Sequence, residues 1–223
     1  MKKILQHSLI TLSAFGIAGL VHAQPTMTIY EGGNLIATVT DNLAGDSNPA
    51  TGVISYIHSD ALWSFQIDTA QTKPAVGTAG SPEMDISVSA NSTGTNALSI
   101  WFSDVGFTTP TGPLTANNSG HLTTGTGATE SYQVWADNGN NLNTLGQNLA
   151  NFAPVPLALT NIISGTVSLP STYSLTEVLT ISPVAATGVS VNAGFTIPEP
   201  AVSTIAIAGL ALFGAARRKQ AKG

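Results

Sequence analysis

The chain reads as all-β, a single antiparallel β-sandwich of jelly-roll or immunoglobulin-like type, with a barrel as the alternative way of closing the same strands. Apolar and polar residues alternate with a period of two through several segments, and Gly-, Pro- and Asn-rich spacers separate those segments at fairly regular intervals. No amphipathic helix of ordinary length competes with them. No internal repeat is sustained, which argues against a solenoid.

Taken in order, the strand signals begin with Trp63, Phe65 and Ile67, which alternate with Ser64, Gln66 and Asp68. Met84, Ile86 and Val88 alternate with Asp85, Ser87 and Ser89, and Leu98, Ile100 and Phe102 with Ser99, Trp101 and Ser103. Near the end, Val189, Val191, Ala193 and Phe195 oppose Ser190, Asn192 and Gly194. The abundance of Thr and Val suits strands. The spacers GDSNPATG, KPAVGTAGSPE, NSTGTN and DNGNNLNTLGQN carry the residues that turn a chain. The stretch from Pro110 to Gly127 reads as a long surface loop, although it holds enough threonine for a strand.

At 223 residues the chain has room for one domain or two small ones. Charged residues make up only 9% of it, and they are unevenly placed. Between Gln24 and Pro200 stand twelve acids and one base, Lys73, a formal charge of −11. A segment this acidic does not neutralise phosphates, so nucleic acid is excluded as a partner; calcium or basic polymers suit it better. Cysteine is absent, which excludes disulfides, thiolate metal sites and a Cys nucleophile, without arguing against export.

The two ends read as addresses. Lys2 and Lys3, an apolar run from Leu9 to Val21, and small residues before Gln24 form the order of a secretory signal, residues 1–23, cleaved between Ala23 and Gln24. The run is shorter than the ~20 residues that span a bilayer. At the other end, Ile197-Pro198-Glu199-Pro200 precedes an uncharged stretch, 201–216, and a basic tail, 217–223, that opens with Arg217, Arg218 and Lys219. Sixteen helical residues rise ~24 Å, so a transmembrane helix there needs thinning of the bilayer or snorkelling arginines. Pro198 and Pro200 keep that helix from extending backward. The basic cluster stays in the cytoplasm while the acidic body, 24–196, is exported.

The order Pro-Glu-Pro, short apolar helix, Arg-rich stop over residues 197–223 resembles the PEP-CTERM sorting signal of exported proteins from Gram-negative bacteria that make extracellular polysaccharide. The resemblance implies a membrane-embedded, transpeptidase-like exosortase as processing partner, alongside signal peptidase. Pro198, Glu199 and Pro200 are then the recognition element, and Arg217, Arg218 and Lys219 the stop-transfer element. Ile197 departs from the commoner valine. It further implies transient anchoring in the inner membrane, then residence at the cell surface, in the outer envelope or outside the cell, in an exopolysaccharide or biofilm setting. A similar tail also occurs on some ice-binding proteins. LSIWFSDVGFT, YQVWADNGNN and the segment from Tyr173 to Pro200 look like parts of a PEP-CTERM subset of unassigned activity, which implies one β-rich domain running up to the signal.

Chemistry is sparse in the body. Its histidines are His58, on one strand face with Tyr56 and Asp60, and His121, and no Gly-x-Ser-x-Gly elbow presents a serine to either. Glu83 and Asp85 share a strand face like a paired-carboxylate site, but alternation against Met84 and Ile86 turns them to solvent as an ordinary polar face. DNLAGDSN and DNGNNLN carry the oxygen donors calcium takes, yet neither has EF-hand spacing, Gly139 falling where a ligand belongs, and Asx-turn chemistry accounts for both. The pairs Thr26/Thr28, Thr38/Thr40 and Thr93/Thr95 have no fixed period, so a flat ice-matching array does not follow. Trp101 and Trp135 read as core or inter-sheet residues, or, if exposed, as platforms for sugars. The residues therefore predict no catalytic, cofactor or metal site and a non-enzymatic structural or adhesive protein. The alternative is a carbohydrate-binding or polysaccharide-modifying one, with ice binding a more distant third.

Overall fold

The computed structural model describes residues 24–108, 111–157, 160–169 and 172–199. The predicted signal peptide through Ala23, and the tail from Pro200 with helix 201–216 and Arg217, Arg218 and Lys219, lie outside the described residues. Among those residues there are twelve strands and no helix. β1 (Thr26–Glu31) and β2 (Asn34–Thr40) form a hairpin, and β3 (Val53–Ser59), β4 (Trp63–Gln71) and β5 (Glu83–Ser92) a meander. Then follow β6 (Leu98–Phe107), β7 (Thr111–Thr124), β8 (Ala128–Asp137), β9 (Gln147–Pro156), β10 (Thr160–Ser168), β11 (Tyr173–Pro183) and β12 (Thr187–Thr196).

These strands build two six-stranded antiparallel sheets, β2-β1-β6-β11-β8-β9 (the first) and β10-β7-β12-β5-β4-β3 (the second). From β5 onward every connection but the β8–β9 hairpin crosses from one sheet to the other, so β6, β11, β5 and β12 meet partners distant in sequence. The β1–β2 turn is Gly32-Gly33, both at positive φ (55° and 85°), the pair of left-handed residues that a two-residue hairpin of right-handed twist requires.

Alternation decides what the sheets bury. Met27, Ile29, Ile100, Phe102, Leu179 and Ile181 of the first sheet face Trp63, Phe65, Ile67, Met84, Ile86 and Phe195 of the second in one continuous core. The expected alternating segments all fall within strands, and Trp63 is the indole of that core.

The long loop expected from Pro110 to Gly127 is instead largely β7, fourteen residues long. Its inward positions are Gly112, Leu114, Ala116 and Asn118, of which Leu114 alone is large and apolar, too little for an alternating hydrophobic signal. Pro113 is tolerated because β12 pairs with β7 only from Thr115 onward, so no partner on that side needs its missing N–H.

Inside the sandwich lies the body's one cation. Lys73 Nζ donates to Asp104 Oδ2 at 2.6 Å and to the Val105 carbonyl, and it sits 4.0 Å from the Phe107 ring centroid. The Thr72 hydroxyl donates to the same carboxylate oxygen at 3.1 Å. Burial pushes the Asp104 carboxyl up, and Lys73 opposes the shift. The described surface is left with neutral and acidic groups and two histidines.

Candidate functional site

The outer face of the first sheet carries a cluster of aromatic rings. Register places Thr28, Trp101, Val178 and Gln133 in one row across β1, β6, β11 and β8, and Thr26, Ser103, Thr176 and Trp135 in the next. Tyr30 stands beside Ser99, and its ring lies 5.6 Å from that of Trp101, tilted by 57°. Trp101 and Trp135 are thus two strands and two residues apart, about 12 Å between Cα atoms at ordinary sheet spacings.

Both indoles are held by a polar residue two positions back on their own strand. Trp101 Nε1 donates to Ser99 Oγ at 3.2 Å, and Ser99 is itself linked to the Thr180 hydroxyl at 3.0 Å. Trp135 Nε1 donates to Gln133 Oε1 at 3.1 Å, and Gln133 Nε2 to Asn151 Oδ1 at 3.1 Å. An N–H bonded to its i−2 neighbour lays each ring back along its own strand. Val178 agrees: it points outward between the two strands yet is only 8% exposed, so its neighbours on that face overlie it. The rings are half-buried, and the expectation of a core or inter-sheet role for Trp101 and Trp135 gives way to an outward-facing one.

One rim of this platform is the β8–β9 loop. Asp137 Oδ2 accepts the backbone and side-chain N–H of Asn141 at 3.0 and 2.9 Å, which lowers the Asp137 carboxyl below its usual range. Asn140 Oδ1 accepts from Gly106 N, and the Asn143 N–H donates to Ser103 Oγ, fastening the loop over the end of the sheet. Asn140 and Asn143 sit at positive φ, so DNGNNLN is turn chemistry, as its composition suggests. Asp137 is the one carboxylate that β8 presents on this face.

The other sequence candidates scatter. His58 Nε2 lies 3.2 Å from Asp60 Oδ2, but that carboxylate is occupied by the N–H groups of Leu62 and Trp63, which hold it down at about 2. In DNLAGDSN, Asp46 accepts from the backbone of Asn42, Asn48 and Ser55, and Asp41 from Gly52. Among the described residues no group of three His, Asp or Glu is placed to hold a metal ion. Glu83 and Asp85 do lie on the outer face of the second sheet; partial burial raises Asp85, eased by a hydrogen bond from Gln71. Thr26 pairs with Thr40 and Thr28 with Thr38, but Thr26 and Thr28 are buried, and Thr93 and Thr95 lie in the β5–β6 loop, so these threonines form no continuous exposed array. At the C-terminal edge Ile197 is buried and donates its N–H to the Pro82 carbonyl, while Pro198 and Glu199 are exposed.

No family model matches the chain, and no curated protein does. Solved structures with a similar arrangement include TmCBM61 in complex with β-1,4-galactotriose, at 10% identity over 61% of this chain and 88% of that one, with a TM-score of 0.31. The CBM22-1 xylan-binding domain of a Paenibacillus barcinonensis protein matches at 10% identity over 71% and 99%, with a TM-score of 0.31. A cleaved adhesin domain of Lys-gingipain from Porphyromonas gingivalis matches at 16% identity over 66% and 99%, with a TM-score of 0.30. At such scores these likenesses say nothing about what this chain binds.

Two carboxyls that composition did not single out are sealed in the core. Glu130 points inward from β8, where Asn118 Nδ2 donates to its Oε1 at 3.2 Å, and burial pushes it up to about 7. Glu177, inward on β11, bonds the Tyr132 hydroxyl and is raised well above the usual carboxylate range, chiefly by burial, with the charge of Asp85 adding to it. Neither reaches solvent, so both bear on stability. Because the folded value of Glu130 exceeds that of the unfolded chain, its contribution is fully present below about pH 4.5 and is lost as pH rises through about 7. Thermal melting is expected to weaken from pH 5 to pH 8, and Glu130→Gln to flatten that fall; a variant with the parent's slope refutes the assignment.

Proposed function

We propose that the body is a carbohydrate-binding module whose aromatic face takes a neutral, extended glycan. The observation that carries this is the pair of outward indoles, each laid along its strand by an i−2 hydrogen bond. Such rings offer a flat apolar surface to the C–H face of a pyranose, and their spacing sets two contact points along one chain. The partly exposed Ser99, Thr180 and Gln133 and the exposed Asn151 beside them supply hydrogen bonds to hydroxyls. A body with no exposed lysine or arginine has nothing to pair with a uronate or sulfate, which favours uncharged polymers. Affinity electrophoresis tests this: retardation in gels of neutral galactan, xylan or glucan, little changed by salt, supports it, and retardation only in acidic polysaccharide overturns it.

The address sequences fit the same reading. The proposal places the protein outside the cell, sorted through signal peptidase and an exosortase, where a glycan-binding body serves a structural or adhesive role in extracellular polysaccharide. It is supported by the position of the motif: Ile197 completes the core, and Pro198 and Glu199 emerge directly from it, exposed. Intact mass of protein recovered from surface and medium fractions is expected to run from Gln24 to near Pro200, and processing to be lost in Glu199→Ala. Retention of Lys222 and Gly223 in both forms overturns the sorting proposal and leaves glycan binding standing.

A further inference from the structure

The second sheet carries a cleft on its own outer face, across the sandwich from the aromatic platform. It encloses about 330 Å³, at the small end of the range for ligand pockets, and Ser119, Gly120, His121, Thr160, Ser190 and Asn192 line it. The residues come from three strands brought together by register: His121 of β7 opposes Ser190 of β12, and Ser119 of β7 opposes both Asn192 of β12 and Thr160 of β10.

Its shape follows from Gly120. This glycine lets β7 sink onto the core: a Cβ there would stand 2.2 Å from Leu157 Cδ2 and 2.8 Å from Glu130 Oε2. A strand drawn inward leaves a hollow on its outer side. Elsewhere on this face the polar side chains are engaged with one another, Gln66 with Asp68 at 2.7 Å and Ser89 with Asp68 at 3.2 Å. Among the described residues, the side chains of Ser119, His121, Thr160, Ser190 and Asn192 have no hydrogen-bond partner.

We infer that this cleft is a second binding site, for a single neutral sugar residue or the end of a glycan chain. Five hydrogen-bonding side chains converge on it, the His121 imidazole among them, with no lysine, arginine or carboxylate. An anionic ligand finds no lysine or arginine there, and an apolar ligand leaves five polar groups unpaired. A polyhydroxylated ring satisfies both donors and acceptors. The inference extends the carbohydrate-binding reading of the other face. With sites on opposite faces, one body bridges two glycan chains, a property a matrix protein uses and a single-site module lacks.

Titration calorimetry of the full chain with neutral tetrasaccharides of galactose, xylose and glucose tests this. The expected result is a stoichiometry of two. Asn192→Val and His121→Ala, both outward-facing strand positions, each remove one site by at least tenfold in affinity and leave the other unchanged; Trp101→Ala removes the complementary one. A stoichiometry of one that Trp101→Ala abolishes and Asn192→Val leaves intact overturns the cleft while the platform stands. A single site sensitive only to Asn192→Val and His121→Ala keeps the cleft and overturns the platform. No binding of any of the three sugars overturns both. Unchanged melting of Asn192→Val and His121→Ala excludes misfolding as the cause of a lost site.

Discussion

Alanine at both Trp101 and Trp135 is expected to abolish binding of neutral glycan to the first sheet while leaving the melting temperature nearly unchanged. Each ring lies on the solvent side of its strand, so its loss opens no cavity between the sheets. Truncating a central aromatic contact costs about 2 kcal/mol, roughly thirtyfold in affinity, and two such losses along one glycan bring the complex below detection. Tyr30→Ala is expected to do less, because its ring stands beside Trp101 at a tilt and serves mainly to fix that indole. Ser99→Ala supplies the finer test. It removes the acceptor of the Trp101 N–H without touching the ring face, so an affinity that falls severalfold with unchanged stability ties binding to the orientation of the indole. Equal affinity of the double tryptophan variant and the parent refutes the platform.

Lys73→Ala is expected to produce the largest loss of stability. The substitution strands the Asp104 carboxylate inside the sandwich with the Thr72 hydroxyl and the Val105 N–H as its remaining partners. Breaking a buried pair by removing one partner costs about 3–5 kcal/mol, which for a body of this size lowers the melting temperature by roughly 6–20 °C. Asp104→Ala is expected to cost a comparable amount, leaving an ammonium over the Phe107 ring with only the Val105 carbonyl as hydrogen-bond acceptor. Replacing both by Lys73→Met and Asp104→Leu is expected to recover most of the loss, since two apolar side chains of similar volume need no partners. Differential scanning calorimetry of the three variants decides it; a double variant no better than the singles shows that the pair holds the loop after β4 by geometry that packing does not replace.

Much of the strand structure was legible because period two is a local property. Trp63, Phe65 and Ile67, or Met84, Ile86 and Val88, declare their faces without reference to any other segment. β7 was not legible, since its inward positions are Gly112, Leu114, Ala116 and Asn118, and a glycine or asparagine facing a core leaves no hydrophobic trace. Trp101 and Trp135 sat in alternating segments from the start, and Ser99 and Gln133 two residues earlier were the available sign that their N–H groups had partners on the outer face. Thr26, Thr28 and Tyr30 alternate with Met27 and Ile29 in the same way.

By itself the sequence determined the all-β class, the inward and outward faces of the strongest strands, and the excess of acid over base, because each is written in adjacent residues or in composition. Which rings share a face, and which polar groups share a cleft, was decided only in the tertiary structure. Tyr30, Trp101 and Trp135 share a face because β1, β6, β11 and β8 lie side by side, and Ser119, Ser190 and Thr160 because β7, β12 and β10 do. Strand order and register arise from the joint packing of two sheets around one core, and no single strand's alternation specifies its neighbour.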